Sequence, residues 1–460
     1  MGPLIERPKT SRLAPHRRYF PIPRPDPAGS DPRRGLYAGE PETCRRDLRK
    51  FVAIFAHLGI LLLAFGQYRI EGRGFQLVAQ FAFFGLPVHY LLPYRWKKPF
   101  FLALSTAGLI WVFGLPASAW VFALAASCIG LARLPIDWKW RAMLVSSVGV
   151  VALLLRPGAA SWLIPETVWP VVGSILTFRM IIYLYELKHS KKPEPLIDAF
   201  GYFFMLPNFC FIHFPVVDYR TWQRGYFADD VHKTQQAGLR MIFRGMIQLL
   251  AYRLVYHELL ISASEVHNFW TLTAYVVCNY LLYLHVSGQF HMACGILHLF
   301  GHSLPETHHS YLLATSFTDY WRRINIYWKD FMVRVVFNPV AFQLKRHPQW
   351  RSLAAATISV FVVTWFLHAL QSYWIRGVWG FSIPDALFWG ILGAFVVVNV
   401  QINAAHPPAR LSKTSPTVRE RLSRACRVSA TFVTIALLWS LWSSPSLAEW
   451  SALLRRGFSV

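Results

Sequence analysis

Charge is scarce in this chain. Only 15% of its 460 residues are Asp, Glu, Lys or Arg, against 54% hydrophobic and 16% aromatic. Apolar side chains on that scale exceed what a soluble core buries, which leaves an integral membrane protein. Acidic residues are the scarcest: 23 Asp and Glu face 47 Lys and Arg, for a formal net charge of +24. That balance alone would admit a nucleic-acid partner, but the placement of the basic residues excludes it. They sit in tails and loops between apolar segments, at Arg95 to Lys98, Arg133 to Arg141, Lys188 to Lys192, Arg220 to Arg240, Arg322 to Arg351 and Arg410 to Arg427, as the positive-inside rule requires. Facing the cytosol, they create a field attractive to phosphate-bearing donors and to anionic membrane lipid.

Cysteine is also rare. None of Cys44, Cys128, Cys210, Cys278, Cys294 and Cys426 forms a CxxC pair, and most lie in apolar segments, so neither a disulfide framework nor a zinc site is expected. Internal repeats and long linkers are absent. Residues 1–44 carry nine prolines among scattered arginines and lack the apolar core of a signal peptide. They read as a disordered, basic cytosolic tail ahead of one membrane unit at 45–460.

What is present is a series of apolar stretches: 51–68, 76–93, 100–132, 141–155, 162–185, 198–217, 241–262, 269–300, 354–375, 381–402 and 428–446. With double spans and re-entrant pieces allowed, they predict roughly 10 to 12 helices at membrane depth. The expected fold is an all-α, multi-pass helical bundle.

Polar residues inside such stretches carry the information. In TWFLHALQSYW, His368 lies between Arg351 and Arg376, which bracket about 24 uncharged residues, enough to cross a hydrocarbon core. Helical spacing puts Thr364, Gln371 and Ser372 beside it, with Thr357 further back, as one polar stripe. A stripe of that kind faces the bundle interior. His368 is then either a buried ring bonded to a neighbouring helix or a proton acceptor beside a polar tunnel.

A second unusual stretch, SFTDYWRRINIYWKDF, sets Asp319, Arg322, Arg323, Lys329 and Asp330 among aromatics. Too charged to cross lipid, it suits an amphipathic or re-entrant helix at the cytosolic interface. There Trp321, Tyr327 and Trp328 anchor, and the arginines either snorkel or hold phosphate. A third concentration comprises His285, His291, His298, His302, His308 and His309. His298 and His302 share a helical face, as a metal pair would, but the several histidine boxes of membrane di-iron oxygenases are missing and no metal is expected. A proton-relaying transporter would show inverted repeats, and none is visible.

From Leu284 onward, LHVSGQFHMACGILHLFGHSLPETHHSYLLATSFTDYWRRINIYW resembles the core of the membrane-bound O-acyltransferase family, most closely its bacterial alginate O-acetyltransferase-like branch. The similarity runs through Ser287-Gly288, Leu299-Phe300-Gly301, Leu304-Pro305-Glu306, Leu313 to Ser316 and Asp319 to Arg323. Upstream, GSILTFRMIIYLYELKH and FGYFFMLPNFCFIHFPVVDYRTW are similar to a second family region, and WFLHALQSYW falls where the family has its membrane histidine. Departures include Asn325 and Ile324 in the place of His and Trp, His291 for Asp, Phe214 for Gly, and Leu367 and Ala369 beside His368.

The resemblance implies a bundle around a central tunnel and a transfer of an acyl group, expected to be acetyl, from a cytosolic acyl-CoA or acyl carrier protein thioester. The implied acceptor is a hydroxyl of a cell-surface polysaccharide or related envelope molecule; acceptors among lipids or proteins stay open. It also implies location in the inner or plasma membrane with the N-terminus cytosolic, no bound cofactor, and a periplasmic esterase-like partner. In this reading His368 is the general base and Asn325 its companion. Trp321, Arg322, Arg323, Lys329, Thr364, Gln371 and Ser372 are candidates for holding substrate or donor.

Overall fold

The computed structural model describes residues 40–156, 164–190, 194–206, 217–406 and 417–459, leaving aside the side chains of 174–176. The tail at 1–39, and with it most of the proposed cytosolic segment, lies outside the described residues, as do Cys210 and Phe214. In chain order the helices are α1 (Leu48–Gln67), α2 (Arg73–Leu91), α3 (Tyr94–Ala132), α4 (Trp138–Leu155), α5 (Val168–Val172), α6 (Met180–His189), α7 (Leu196–Phe203), α8 (Tyr219–Gly225) and α9 (Val231–Leu254). They continue with α10 (Phe269–Leu281), α11 (Tyr283–Leu299), α12 (Phe317–Arg323), α13 (Ile326–Met332), α14 (Asn338–Gln343), α15 (Gln349–Arg376), α16 (Ile383–Ala405), α17 (Val418–Trp442) and α18 (Leu447–Phe458).

The chain is an all-α membrane protein. Among the described residues, eight helical runs are long and apolar enough to cross a bilayer: Leu48–Gln67, Tyr94–Ala132, Trp138–Leu155, Val168–His189, Phe269–Leu299, Gln349–Arg376, Ile383–Ala405 and Val418–Trp442. The stretches at 76–93, 198–217 and 241–262 account for the difference from the roughly 10 to 12 expected. In α9, Lys233, Arg240, Arg244 and Arg253 interrupt the apolar face, and the stretch at 198–217 holds only the eight-residue α7 among its described positions. The 39-residue α3 would extend about 58 Å if straight, far beyond a hydrocarbon core. Gly114, at φ 78° and ψ 165°, breaks it just before Pro116.

One helix pair fixes the geometry of the C-terminal half. Gly238 and Gly245 on α9 face Gly295 and Gly288 on α11, each pair seven residues apart. A Cβ at Gly238 would meet the Gly295 carbonyl oxygen at 2.7 Å, and one at Gly245 would meet that of Gly288 at the same distance. Backbones this close require glycine, the small-residue packing by which membrane helices associate without a hydrophobic drive between them. Further along, Arg334 donates to Glu186 and to Asp218 at 2.6 Å, while Arg220 Nε lies 2.5 Å from Glu186 Oε2. This cluster ties α6 and α8 to the chain after α13.

The aromatic, charged stretch forms two short helices, α12 and α13, instead of the single amphipathic helix its composition suggests. Ser316 caps the first by accepting from Asp319 N at 3.1 Å. Asn325, at φ 39° and ψ 65°, divides the two. A left-handed residue cannot continue a helix, and asparagine is among the few non-glycine residues that adopt this conformation readily.

Candidate active site

A cavity of about 280 Å³ lies between α11, α12, α13, α15, α16 and α17. Its polar side chains come from two helices: Asn325 and Lys329 from the start of α13, His368 and Gln371 from α15. Rings supply most of the remaining wall, with Trp321 and Trp328 on one flank, Phe388 and Trp389 from α16, and Trp439 and Trp442 from α17.

His368 is half-buried and surrounded by indoles. Its ring centroid lies 4.9 Å from that of Trp389, 5.8 Å from Trp328 and 6.1 Å from Trp442, the last two edge-on. Two of these rings are fixed from behind. Trp328 Nε1 donates to Thr364 Oγ1 at 3.3 Å, and Trp442 Nε1 donates to Asp385 Oδ1 at 2.6 Å. Each indole thereby satisfies its one donor on protein and turns apolar ring surface toward the imidazole.

Asn325 reaches the same cavity through its backbone conformation. Its Oδ1 accepts from Trp328 N at 3.2 Å, capping α13. With the oxygen engaged there, the Nδ2 hydrogens are the donors the side chain can offer the cavity. The strained turn is clamped on both flanks by the Thr307–His309 segment: Ile326 N donates to Thr307 O at 2.7 Å, and His309 N donates to Arg323 O at 3.0 Å. His308, buried between them, bonds through Nε2 to the Tyr283 hydroxyl at 3.0 Å, and Tyr283 is itself part of the cavity wall. The clamp thus joins the turn at Asn325 to α11.

Of the residues singled out from sequence, His368, Asn325, Trp321, Lys329 and Gln371 line this one cavity. The other four do not. Arg322 is exposed and outside the lining, and Arg323 Nε is engaged by Asp319 Oδ1 at 2.7 Å. Thr364 is buried behind Trp328, while Ser372 donates to Val378 O at 3.2 Å and accepts from Arg376 at 2.6 Å. The polar stripe on α15 therefore divides: two members face the cavity, and the flanking hydroxyls satisfy neighbours. Thr357 completes the pattern by bonding back to Leu353 O at 2.8 Å. Lys329, though in the wall, is paired with Asp330 at 2.7 Å.

Sequence reasoning misses the aromatic residues of α16 and α17, the Tyr283–His308 bond and the clamp. The signal for the clamp is the PETHHS segment, whose His308 and His309 lack the further histidine that a metal box needs. The nearby histidines have structural partners instead. His298 Nδ1 bonds to Cys294 O at 2.8 Å, and its Nε2 accepts from Leu304 N at 3.3 Å. His302 stacks on Trp222 with centroids 5.0 Å apart, and burial, reinforced by the Lys98 charge, pushes its pKa down to about 3. Among the described residues, no group of three or more His, Cys, Asp or Glu is gathered as a metal would need. Among the described residues, no cysteine lines the cavity.

No family model matches the chain, and no curated protein matches it.

Proposed function

We propose that this membrane protein is an O-acyltransferase of the membrane-bound O-acyltransferase type, in which His368 and Asn325 act on a thioester and a hydroxyl that meet in the cavity. The observation that carries the reading is the convergence of one imidazole and one amide donor, from segments about forty residues apart, on a single ring-lined space within the apolar bundle. The resemblance seen in the sequence supports the same assignment.

Transfer requires three events. The imidazole of His368 accepts the proton of the acceptor hydroxyl as its oxygen attacks the thioester carbon. Charge developing on the carbonyl oxygen is met by the Asn325 Nδ2 hydrogens, which are held in place by the cap to Trp328. The C–S bond breaks and the thiolate leaves with the proton held by His368, so the ring returns to its starting state. No acyl-enzyme is needed, so no cysteine need act as nucleophile. Lys329 stands where it can meet a polar part of either substrate.

The donor is a cytosolic acyl-CoA or acyl carrier protein thioester, and the acceptor is a hydroxyl of an envelope glycan or of a lipid or protein at the same membrane. The site within the bundle lets the acyl group pass inward from the cytosolic face without the whole donor crossing. The protein then resides in the inner or plasma membrane, and a periplasmic esterase-like partner fits a pathway with a distant acceptor. Membranes containing the His368→Ala protein at normal abundance test the reading. Loss of labelled acyl transfer to envelope material is expected, and unchanged transfer removes His368 from the reaction.

A further inference from the structure

The cavity wall divides by helix. Polar side chains come from α13 and α15, whereas the residues from α16 and α17, Phe388, Trp389, Leu392, Trp439 and Trp442, present carbon and ring surface. On α11, Leu282 and Val286 are apolar, and the Tyr283 hydroxyl is already engaged by His308 Nε2 at 3.0 Å. The Trp442 N–H is likewise committed, to Asp385.

Two magnitudes decide what fits such a space. A sugar ring carries nearly one hydroxyl per carbon, and each hydroxyl buried without a partner weakens binding by roughly 5- to 150-fold. Apart from indole N–H donors, the α11, α16 and α17 surfaces offer no side-chain polar group beyond the engaged Tyr283 hydroxyl, so they are poorly suited to a saccharide. An acetyl group, in turn, is too small. The 280 Å³ of the cavity equals about nine liquid-water volumes at roughly 30 Å³ each, and a methylene occupies a similar volume. Two carbons would leave most of the apolar wall without contact.

We propose that the group transferred is a medium-length acyl chain of about six to eight carbons, the thioester and the attacking hydroxyl taking the rest of the space. Its tail lies against α11, α16 and α17, and its carbonyl carbon reaches His368 and Asn325. This inference rests on the transferase reading for the chemistry, but not for the binding, and it replaces the acetyl group that the sequence resemblance suggests.

Acetyl, octanoyl and palmitoyl thioesters of N-acetylcysteamine isolate the acyl chain from the rest of the donor. The test measures their dissociation constants, and the rate at which each releases thiol when a cell-envelope extract supplies hydroxyl acceptors, with the full-length protein in lipid nanodiscs and protein-free nanodiscs subtracted. A buried methylene strengthens binding about fourfold, so even partial burial of six gives the octanoyl ester an advantage of on the order of a hundredfold over acetyl. Palmitoyl should gain nothing over octanoyl, because its extra carbons exceed the space. Val286→Phe narrows the wall and should cut the octanoyl advantage to about twofold or less. Leu392→Phe serves as the independent check should the first variant fail to accumulate.

Equal binding of acetyl and octanoyl esters overturns the proposal, and so does an octanoyl preference untouched by both variants. Selective octanoyl binding that Val286→Phe abolishes, with no thiol released from any ester, supports the chain-length assignment and refutes the transferase reading instead.

Discussion

Two sets of histidines share this protein and have opposite surroundings. His368 stands alone on α15 and borders a cavity, whereas His291, His298, His302 and His308, around the end of α11, are each at most 3% exposed and line no such space. In the sequence the cluster looks like the richer site. In the fold its rings hold backbone: His298 bridges Cys294 and Leu304, and His308 anchors the segment that clamps Asn325. Chemistry follows access to a space a substrate can occupy, so one imidazole at a cavity outweighs four sealed in protein.

Substitutions sharpen that contrast. The largest effect belongs to His368→Gln, which keeps a polar side chain but removes the base. Transfer should fall by about 10²–10⁴-fold with abundance unchanged. Asn325 comes next, and it separates two roles. Asn325→Gly retains the left-handed turn and loses the amide together with its bond to Trp328 N, a cap for which glycine substitutes at a cost of only a few tenths of a kcal/mol, so turnover should drop on the order of 10²–10³-fold while the protein melts near the wild-type temperature. Asn325→Ala loses the same amide but cannot adopt the left-handed turn cheaply and caps worse than glycine, so it should lower stability by a further ~1–2 kcal/mol. Equal activity of the Gly and wild-type proteins would reduce Asn325 to a structural cap.

From the sealed set, His308→Ala tests the clamp. Without the bond to Tyr283 the Thr307–His309 segment loses its anchor, and turnover should fall by about tenfold, or ~1.4 kcal/mol, with donor binding unaltered. A loss confined to binding would place His308 outside the positioning of Asn325.

Much of this is legible in the order of the amino acids. The excess of apolar residues sets the class, and the placement of His368 in an uncharged run sets its depth. The stripe of Thr364, Gln371 and Ser372 is real as a periodicity but only partly a site, because serine and threonine hydroxyls bond readily to backbone or to a nearby indole. Arg322 and Arg323 fall short for a related reason. Their spacing on α12 follows the helix turn, which sends one to solvent and the other to Asp319. The glycine seam of α9 and α11 is within reach of sequence reasoning, since Gly238, Gly245, Gly288 and Gly295 recur at heptad spacing in both helices. The left-handed Asn325 is not, because it depends on hydrogen bonds from a segment some seventeen residues earlier.

The smallest effect concerns a sealed ring with no part in the reaction. His302 has its pKa pushed from 6.5 to about 3 by burial first and by Lys98 second. Above pH 6.5 both the folded and unfolded chains carry the ring uncharged and pH has no leverage. As pH falls from 6.5 toward 3 the unfolded chain binds a proton that the folded chain refuses, so stability declines by at most about 1.4 kcal/mol per pH unit for this group. His302→Phe keeps the stacking on Trp222 and removes the proton, and its melting temperature should therefore fall less steeply with acid than that of the wild type. Parallel slopes would mean that His302 titrates normally and that the end of α11 opens to water, which would weaken the contrast between the two histidine sets from its sealed side.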